Sequence, residues 1–187
     1  MRIVLAGATG VIGRRVVPRL VAGGHQVIAL TRKPDRTATL RALGAEPVVA
    51  DVHDRAAIVT AVRAAAPDLV MHQLTDLAAG DVVANAALRR EGTRNLVDAA
   101  LAAGARRMVA QRLAADDEVV SFVHADDAAI AAVQALTWPA GHAVNVCDDE
   151  PVSGREWVPA FCAAVGAPPP PTADPGRPGW ARGADNH

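Results

Sequence analysis

The sequence contains no tyrosine, and its aromatic side chains are three tryptophans and two phenylalanines. Lysine occurs once, at Lys33. The two cysteines, Cys147 and Cys162, lack the spacing of a metal-ligand motif and need not pair, so we expect no metal site and a reducing cytoplasm. A formal net charge of −1 predicts no binding to nucleic acid or to an anionic membrane surface.

Long apolar runs are also missing, and none approaches the length of a membrane span. A strand and its turn begin at Arg2, which leaves no room for a cleaved signal before them. The chain is long enough for one domain that buries roughly 70% of its unfolded-state surface. We therefore predict one cytoplasmic domain over residues 1–166 and a tail rich in proline and glycine over residues 167–187.

A glycine-rich turn follows the first apolar segment. Gly7, Gly10 and Gly13 have the spacing GxxGxxG, after a strand at residues 2–6 and before an amphipathic helix. Glycine permits the tight corner, and its missing side chain lets a pyrophosphate approach the backbone and the helix N-terminus. This context predicts a dinucleotide site; the alternative is a turn that only packs the helix onto the sheet. The predicted binding residues here are Gly7, Ala8, Thr9, Gly10, Val11, Ile12 and Gly13.

Strands and helices alternate along the first part of the chain. The predicted strands cover residues 2–6, 26–31, 47–50, 69–72 and 107–111, and the predicted helices cover residues 11–22, 37–43, 54–65 and 84–103. This alternation predicts a Rossmann-type α/β fold, a doubly wound parallel sheet between two helical layers. Its ligand crevice lies at the carboxyl ends of the strands.

Beyond Gln111 the alternation is less regular. We expect a helix capped by Asp126 and ending near Thr137, a strand at residues 143–147, and a helix that starts at Ser153.

The end of the second strand predicts the cofactor. In this fold an acid at that position binds the ribose hydroxyl of NAD, whereas an arginine accommodates the 2′-phosphate of NADP. Arg32 occupies the position, with Lys33 beside it and no acid before Asp35. The sequence therefore favours NADP, with NAD as the second choice. The alternative is that Arg32 and Lys33 are a solvated basic pair in a loop.

Two further strand ends supply predicted cofactor contacts. Asp51 ends the third strand, where its carboxylate can accept a hydrogen bond from an adenine amino group, and Val52 can contribute its backbone. The alternative for Asp51 is helix capping. Leu74 and Thr75 leave the fourth strand at the crevice and complete the predicted set.

Candidate catalytic residues are fewer. Thr75 can bind ribose or substrate, and Asp76 or His72 can transfer protons, although a lone histidine at the end of a buried strand is usually a hydrogen-bonded core residue. His124, close to Asp126, is the third candidate, although an aspartate at a helix N-terminus also favours the helix dipole. The catalytic set is thus Thr75, Asp76 and His124.

The glycine turn of residues 7–13, Asp51-Val52 and Glu91-Gly92-Thr93-Arg94-Asn95-Leu96 together resemble the NAD(P)-dependent epimerase/dehydratase family of the extended or atypical short-chain dehydrogenase/reductases. Residues 122–129 and 144–153 are similar to the same family, so the resemblance runs nearly end to end. It implies a cofactor-binding fold in which residues 118–166 correspond to the family's C-terminal substrate region, here reduced in size.

The chain departs from that family where the chemistry takes place. Members usually carry a serine or threonine beyond the fifth strand and then Tyr-x-x-x-Lys, whereas here Gln111 is followed by Arg112 and tyrosine is absent. A positioned proton donor typically contributes about 10²–10⁴-fold in rate, and its loss also removes oxyanion stabilisation. Residues 111–121 join two segments between which the family carries a sixth strand, its catalytic helix and part of the substrate region.

Three functions remain open on these grounds. The chain is an oxidoreductase or epimerase/dehydratase acting on a small metabolite through an unusual site, a silent NADP(H) sensor or partner-binding module, or a Rossmann scaffold for non-redox chemistry such as cyclisation or dehydration. The shortened segment leaves a sheet edge or a helix face uncovered, so we also expect a homodimer.

Overall fold

The structure, a computed structural model, describes residues 1–75, 87–111, 123–144, 146–147 and 163–164. These residues fall into two compact units, and residues 1–111 with 128–142 belong to the first. The predicted catalytic residue Asp76, the tail and the start of the helix expected at Ser153 lie outside the described residues. Within the described ranges, no helix is both long enough and apolar enough to span a membrane.

Five parallel strands form one sheet in the first unit. They are β1 (Arg2–Ala6), β2 (Gln26–Thr31), β3 (Glu46–Val49), β4 (Leu69–His72) and β5 (Arg107–Ala110), in the spatial order β3-β2-β1-β4-β5. Ala6 pairs with Leu30 on one side and with His72 on the other, and His72 pairs in turn with Ala110. The order reverses at β1, so the sheet is doubly wound and the predicted Rossmann-type α/β fold is confirmed.

The helices follow the strands in the predicted sequence. They are α1 (Gly13–Ala22), α2 (Thr37–Ala42), α3 (Arg55–Ala65), α4 (Thr93–Ala102) and α5 (Ala125–Gln134), with a 3-10 turn at Pro34–Arg36 and a π-helical turn at Leu88–Gly92 that runs directly into α4. Asp54 caps α3 as predicted, because its carboxylate accepts the Ala57 N–H at 3.0 Å. The first helix begins two residues later than predicted because the Gly10 N–H first closes a turn onto the Gly7 carbonyl at 3.0 Å.

Alternate residues of the strands pack on opposite faces of the sheet, as parallel strands buried on both sides require. One face carries Val4, Ile28 and Val70 against α3 and α4, and the other carries Leu5, Ala29 and Met71 against α1 and α5. Both faces are closed to water along β1, where Ile3, Val4, Leu5 and Ala6 are fully buried. The glycine turn therefore leaves the centre of a rigid sheet.

Two expectations for the later part of the chain are wrong in the described residues. Residues 143, 144, 146 and 147 form no strand, and Val144 and Val146 are exposed rather than paired. Asp126 does not cap α5, because the helix already begins at Ala125 and Asp126 lies in its first turn. His124 Nδ1 accepts the Asp126 N–H at 3.3 Å, which is the bond that a capping side chain makes.

Candidate functional site

The turn after β1 depends on glycine at two positions. Gly7 has φ +91°, and a Cβ there would lie 2.5 Å from the Gln73 carbonyl oxygen. A Cβ on Gly13 would lie 2.1 Å from the Gly7 carbonyl oxygen. Backbone thus packs on backbone at both places, and α1 begins directly above the end of the central strand.

The N-terminus of α1 carries backbone N–H groups that no described residue caps. Its N-cap, Ile12, makes no side-chain capping bond, and the first turn holds no acid. Among the described residues, no hydrogen-bond acceptor meets the N–H groups of Val11, Ile12 and Gly13. Unpaired N–H groups and the partial positive charge of the helix end together form a site suited to an anion such as a pyrophosphate.

A cleft of about 270 Å³ opens at the carboxyl edge of the sheet, around this turn. The glycine turn lies in its middle, the ends of β2 and β3 on one side, and the end of β4 on the other. Three of its lining residues are cations, Arg32, Lys33 and Arg36, and Asp51 is the one carboxylate among the described residues that line it. The cleft is therefore most cationic at its β2–β3 end.

The turn after β2 positions the basic residues. The Thr31 hydroxyl oxygen accepts the Lys33 N–H at 3.1 Å, and the buried Thr31 carbonyl accepts the Ala50 N–H at 2.9 Å. These bonds fix the backbone on both sides of Arg32, whose side chain is exposed at the edge of the cleft. The arrangement presents a guanidinium where a phosphate can reach it.

The loop after β3 forms the neighbouring wall. The Asp51 carboxylate accepts the His53 N–H at 3.0 Å, so it shapes its own loop and does not cap α3. The Val52 carbonyl accepts a hydrogen bond at 2.8 Å from the Asn95 side chain of α4. Val52 is thereby held against the π-helical turn, where a Cβ on Gly92 would approach it to 3.0 Å. Asn95 belongs to the segment 91–96 that carries the family resemblance, but its contact with Val52 was not predicted from the sequence.

His72 ends β4 inside the protein, not in the cleft. Its Nδ1 accepts the Leu74 N–H at 3.1 Å, so the proton of the neutral ring lies on Nε2, which donates to the Thr93 hydroxyl at 2.7 Å. The residue is only 4% exposed. The interpretation of His72 as a hydrogen-bonded core histidine is confirmed. Its effect on the site is to fix the backbone of Leu74, which lines the cleft.

The cleft brings together most of the predicted cofactor residues: Gly7, Thr9, Gly10, Arg32, Asp51, Val52, Leu74 and Thr75. The remaining members of the turn are placed differently. Ala8 and Gly13 are buried, Ile12 packs against the core, and Val11 is exposed. Several other residues that line the cleft were not assigned to it from the sequence, among them Lys33, Arg36, His53 and Gln73. The basic run after Arg32 could have indicated the first two.

Of the predicted catalytic residues, Thr75 is exposed in the cleft. His124 belongs to the second unit, where its Nδ1 lies 3.7 Å from an Asp126 carboxylate oxygen at the start of α5. Its catalytic role stays a prediction, and Asp76 lies outside the described residues.

Comparison with known proteins agrees with this geometry. A family profile described as NAD(P)H-binding matches residues 7–140. A 3-diazoavenalumate denitrifying reductase from a Streptomyces species is 33% identical over an alignment that covers 92% of this chain and 84% of the relative. That alignment has 259 positions, more than the 187 residues of this chain, so the relative contains internal residues that have no counterpart here.

Two solved structures share the fold at lower identity. The Bordetella bronchiseptica enzyme WbmG, in complex with NAD and UDP, is 18% identical with a TM-score of 0.71, over all of this chain and 85% of that one. The NADPH-dependent quinone oxidoreductase QOR2 of Escherichia coli, in complex with NADPH, is 20% identical with a TM-score of 0.68, over 88% of this chain and 76% of that one.

Proposed function

The chain belongs to the NAD(P)H-binding family, and from that premise we propose that it is an NADPH-dependent reductase of the short-chain dehydrogenase/reductase and epimerase type. The cleft around the glycine turn carries the proposal, because its parts match the parts of the cofactor. The α1 N-terminus would hold the pyrophosphate and Arg32 the 2′-phosphate, with Lys33 and Arg36 adding positive charge. Asp51 would accept a hydrogen bond from the adenine amino group.

The absence of tyrosine from the sequence supports a particular class of substrate. A carbonyl acceptor needs a positioned acid for the developing alkoxide, but tyrosine is absent and Lys33 lies at the β2–β3 end of the cleft. An acceptor that carries its own positive charge needs no proton. The denitrifying reductase from Streptomyces is named for a diazo compound. We therefore propose a diazonium or similarly cationic electrophile as the substrate.

The bound cofactor would supply a hydride, and an arenediazonium plus hydride gives an arene and dinitrogen with no proton consumed. The protein would bind and orient the two reactants, and Thr75, exposed in the cleft, would contact ribose or substrate.

Enzyme-dependent NADPH oxidation with benzenediazonium and with acetophenone tests the proposal. We expect the diazonium to react at least about 100-fold faster than the ketone, because a missing general acid costs the ketone that much. Samples without enzyme give the background rate. Comparable rates would contradict the proposal and would mean that Thr75, Asp76 or His124 supplies a proton. Tight NADPH binding without turnover of either compound would favour the silent sensor instead.

A further inference from the structure

Gln73 is a buried polar residue at the edge of the cleft. It follows β4 directly, and its N–H continues the ladder to the Ala6 carbonyl at 2.8 Å. The residue is only 6% exposed, and it lines the cleft. Its side-chain amide has two donor hydrogens and an acceptor oxygen, yet no residue in the described part of the chain hydrogen-bonds to it. Buried amides normally have partners, so this one requires an explanation.

The strand pattern shows on which face of the sheet the amide lies. His72 points to α4, where it bonds Thr93, and Met71 packs on the opposite face with α1. Since side chains alternate along a strand, Gln73 lies on the α1 face. The register continues past the paired residues Ala6, His72 and Ala110, so Gln73 stands in one row between Gly7 and Gln111.

That row lies on the β4 side of the glycine turn, away from the basic residues. Arg32 and Lys33 line the β2–β3 end of the cleft, which suits the phosphorylated adenosine half of a dinucleotide. If the pyrophosphate binds at the turn, the other half of the molecule would extend toward β4. That half would bring a nicotinamide with a neutral carboxamide to Gln73.

We propose that the side-chain amide of Gln73 hydrogen-bonds the nicotinamide carboxamide and so positions the ring at the β4 end of the cleft, an inference that rests on the proposed function. Two amides can each donate and accept, so they form a reciprocal pair. A neutral amide is a poor partner for phosphate, which the N–H groups and guanidinium already serve. In the absence of cofactor no described residue compensates the desolvation of the buried amide, which lowers the stability of the protein.

The test compares two ligands on purified full-length protein by calorimetric titration. NADP⁺ carries the carboxamide, and 2′-phospho-ADP-ribose has every other phosphate and sugar contact but no nicotinamide. Gln73→Met keeps the length of the side chain and removes the amide. We expect Gln73→Met to bind NADP⁺ about 10- to 100-fold more weakly than wild type, because the reciprocal pair contains two hydrogen bonds, and to bind 2′-phospho-ADP-ribose within about two-fold of wild type.

A second readout separates this role from a structural one. Removing an uncompensated buried amide should raise the melting temperature of the ligand-free protein by roughly 2–4 °C. A merely structural glutamine would lower it. Gln134→Leu, at an exposed glutamine of α5, is the matched control and should change neither readout. Gln73→Leu provides a second apolar replacement if the methionine variant fails to fold.

Equal weakening of both ligands by Gln73→Met, or no weakening of either, would overturn the assignment of Gln73. Failure of the wild-type protein to bind 2′-phospho-ADP-ribose would overturn the proposed function itself, and with it this inference. The two failures are distinguishable because the truncated ligand lacks the nicotinamide that Gln73 would bind.

Discussion

Gly13 is the position in the turn at which an added methyl group should lower the stability of the fold most. A Cβ there would lie 2.1 Å from the Gly7 carbonyl oxygen and 2.7 Å from the Ala8 Cα, and backbone atoms cannot rotate away. We expect Gly13→Ala to lower the free energy of unfolding by about 1–3 kcal/mol, as overpacking does, and to weaken cofactor binding by displacing α1. Urea unfolding with and without NADPH measures both effects.

Gly23 offers a matched control at the other end of the same helix. It has φ −76°, and the nearest atoms to an added Cβ are at 3.4 Å, an ordinary contact. Gly23→Ala should change the free energy of unfolding by less than about 0.5 kcal/mol. If Gly13→Ala and Gly23→Ala lower the free energy of unfolding equally, the close backbone approach at Gly13 is not the cause of the destabilisation.

Local sequence predicted some residues of the site better than others. Gly7, Arg32 and Asp51 could be placed because each directly follows a strand, and the carboxyl ends of parallel strands meet at one edge. Asn95 could not be assigned to Val52, 43 residues earlier, because only the packing of α4 brings them together. Gln73 carried no signal, since its proposed role depends on burial without a hydrogen-bond partner among the described residues.

At the scale of elements, Asp68 joins three strands at the edge of the sheet opposite the cleft. Its carboxylate accepts the Arg2 N–H at 2.8 Å and an Arg106 guanidinium N–H at 3.1 Å, just before β1, β4 and β5 run into the core. The Arg2 hydrogen bond above all, together with the positive charge of Arg106, lowers the pKa of Asp68 below its usual value against a smaller opposing effect of burial.

This lowered pKa predicts a dependence of stability on acid. A carboxylate with a lower pKa in the folded than in the unfolded state stabilises the fold above its unfolded pKa, and that stabilisation is lost as pH falls through the folded pKa. We expect the free energy of unfolding to fall with pH below about pH 5, and Asp68→Asn to flatten that fall. Urea unfolding of both proteins at a series of pH values measures this dependence.

Arg106→Gln should flatten the acid dependence less than Asp68→Asn, because the Arg2 hydrogen bond remains. If wild type and Asp68→Asn lose stability in parallel on acidification, Asp68 is not the group responsible.

The strands β2 and β4 were predicted to the residue, whereas the strand expected at residues 143–147 is not formed by those that the structure describes. Both confirmed strands are apolar on both faces and pair with neighbours on each side. The later segment has the alternation of a strand, but its valines are exposed and no described strand pairs with it. An alternating pattern of apolar and polar residues does not by itself provide a neighbouring strand with which to form hydrogen bonds.

At the scale of the whole molecule, we predict a homodimer. Leu101 of α4 is 73% exposed and Val97 of the same helix is 36% exposed, so α4 presents apolar surface to water. Sedimentation equilibrium should give twice the monomer mass, and Leu101→Asp should shift it toward the monomer by placing a charge in the interface.

Val49→Asp is the control, because Val49 is also exposed but lies on β3 at the far edge of the sheet. A monomeric mass for wild type that does not change with concentration would contradict the dimer.

The proposed function depends above all on the binding of NADP(H) in the cleft around the glycine turn. Thermal unfolding of the wild-type protein with NADPH, with NADH and without ligand tests it most directly. A ligand at 100 times its Kd stabilises by about 2.7 kcal/mol, which for a domain of this size raises the melting temperature by roughly 5–10 °C. We expect such a shift with NADPH and a smaller one with NADH, because Arg32 favours the 2′-phosphate. A larger shift with NADH would contradict the choice of cofactor, and no shift with either would contradict the cofactor site.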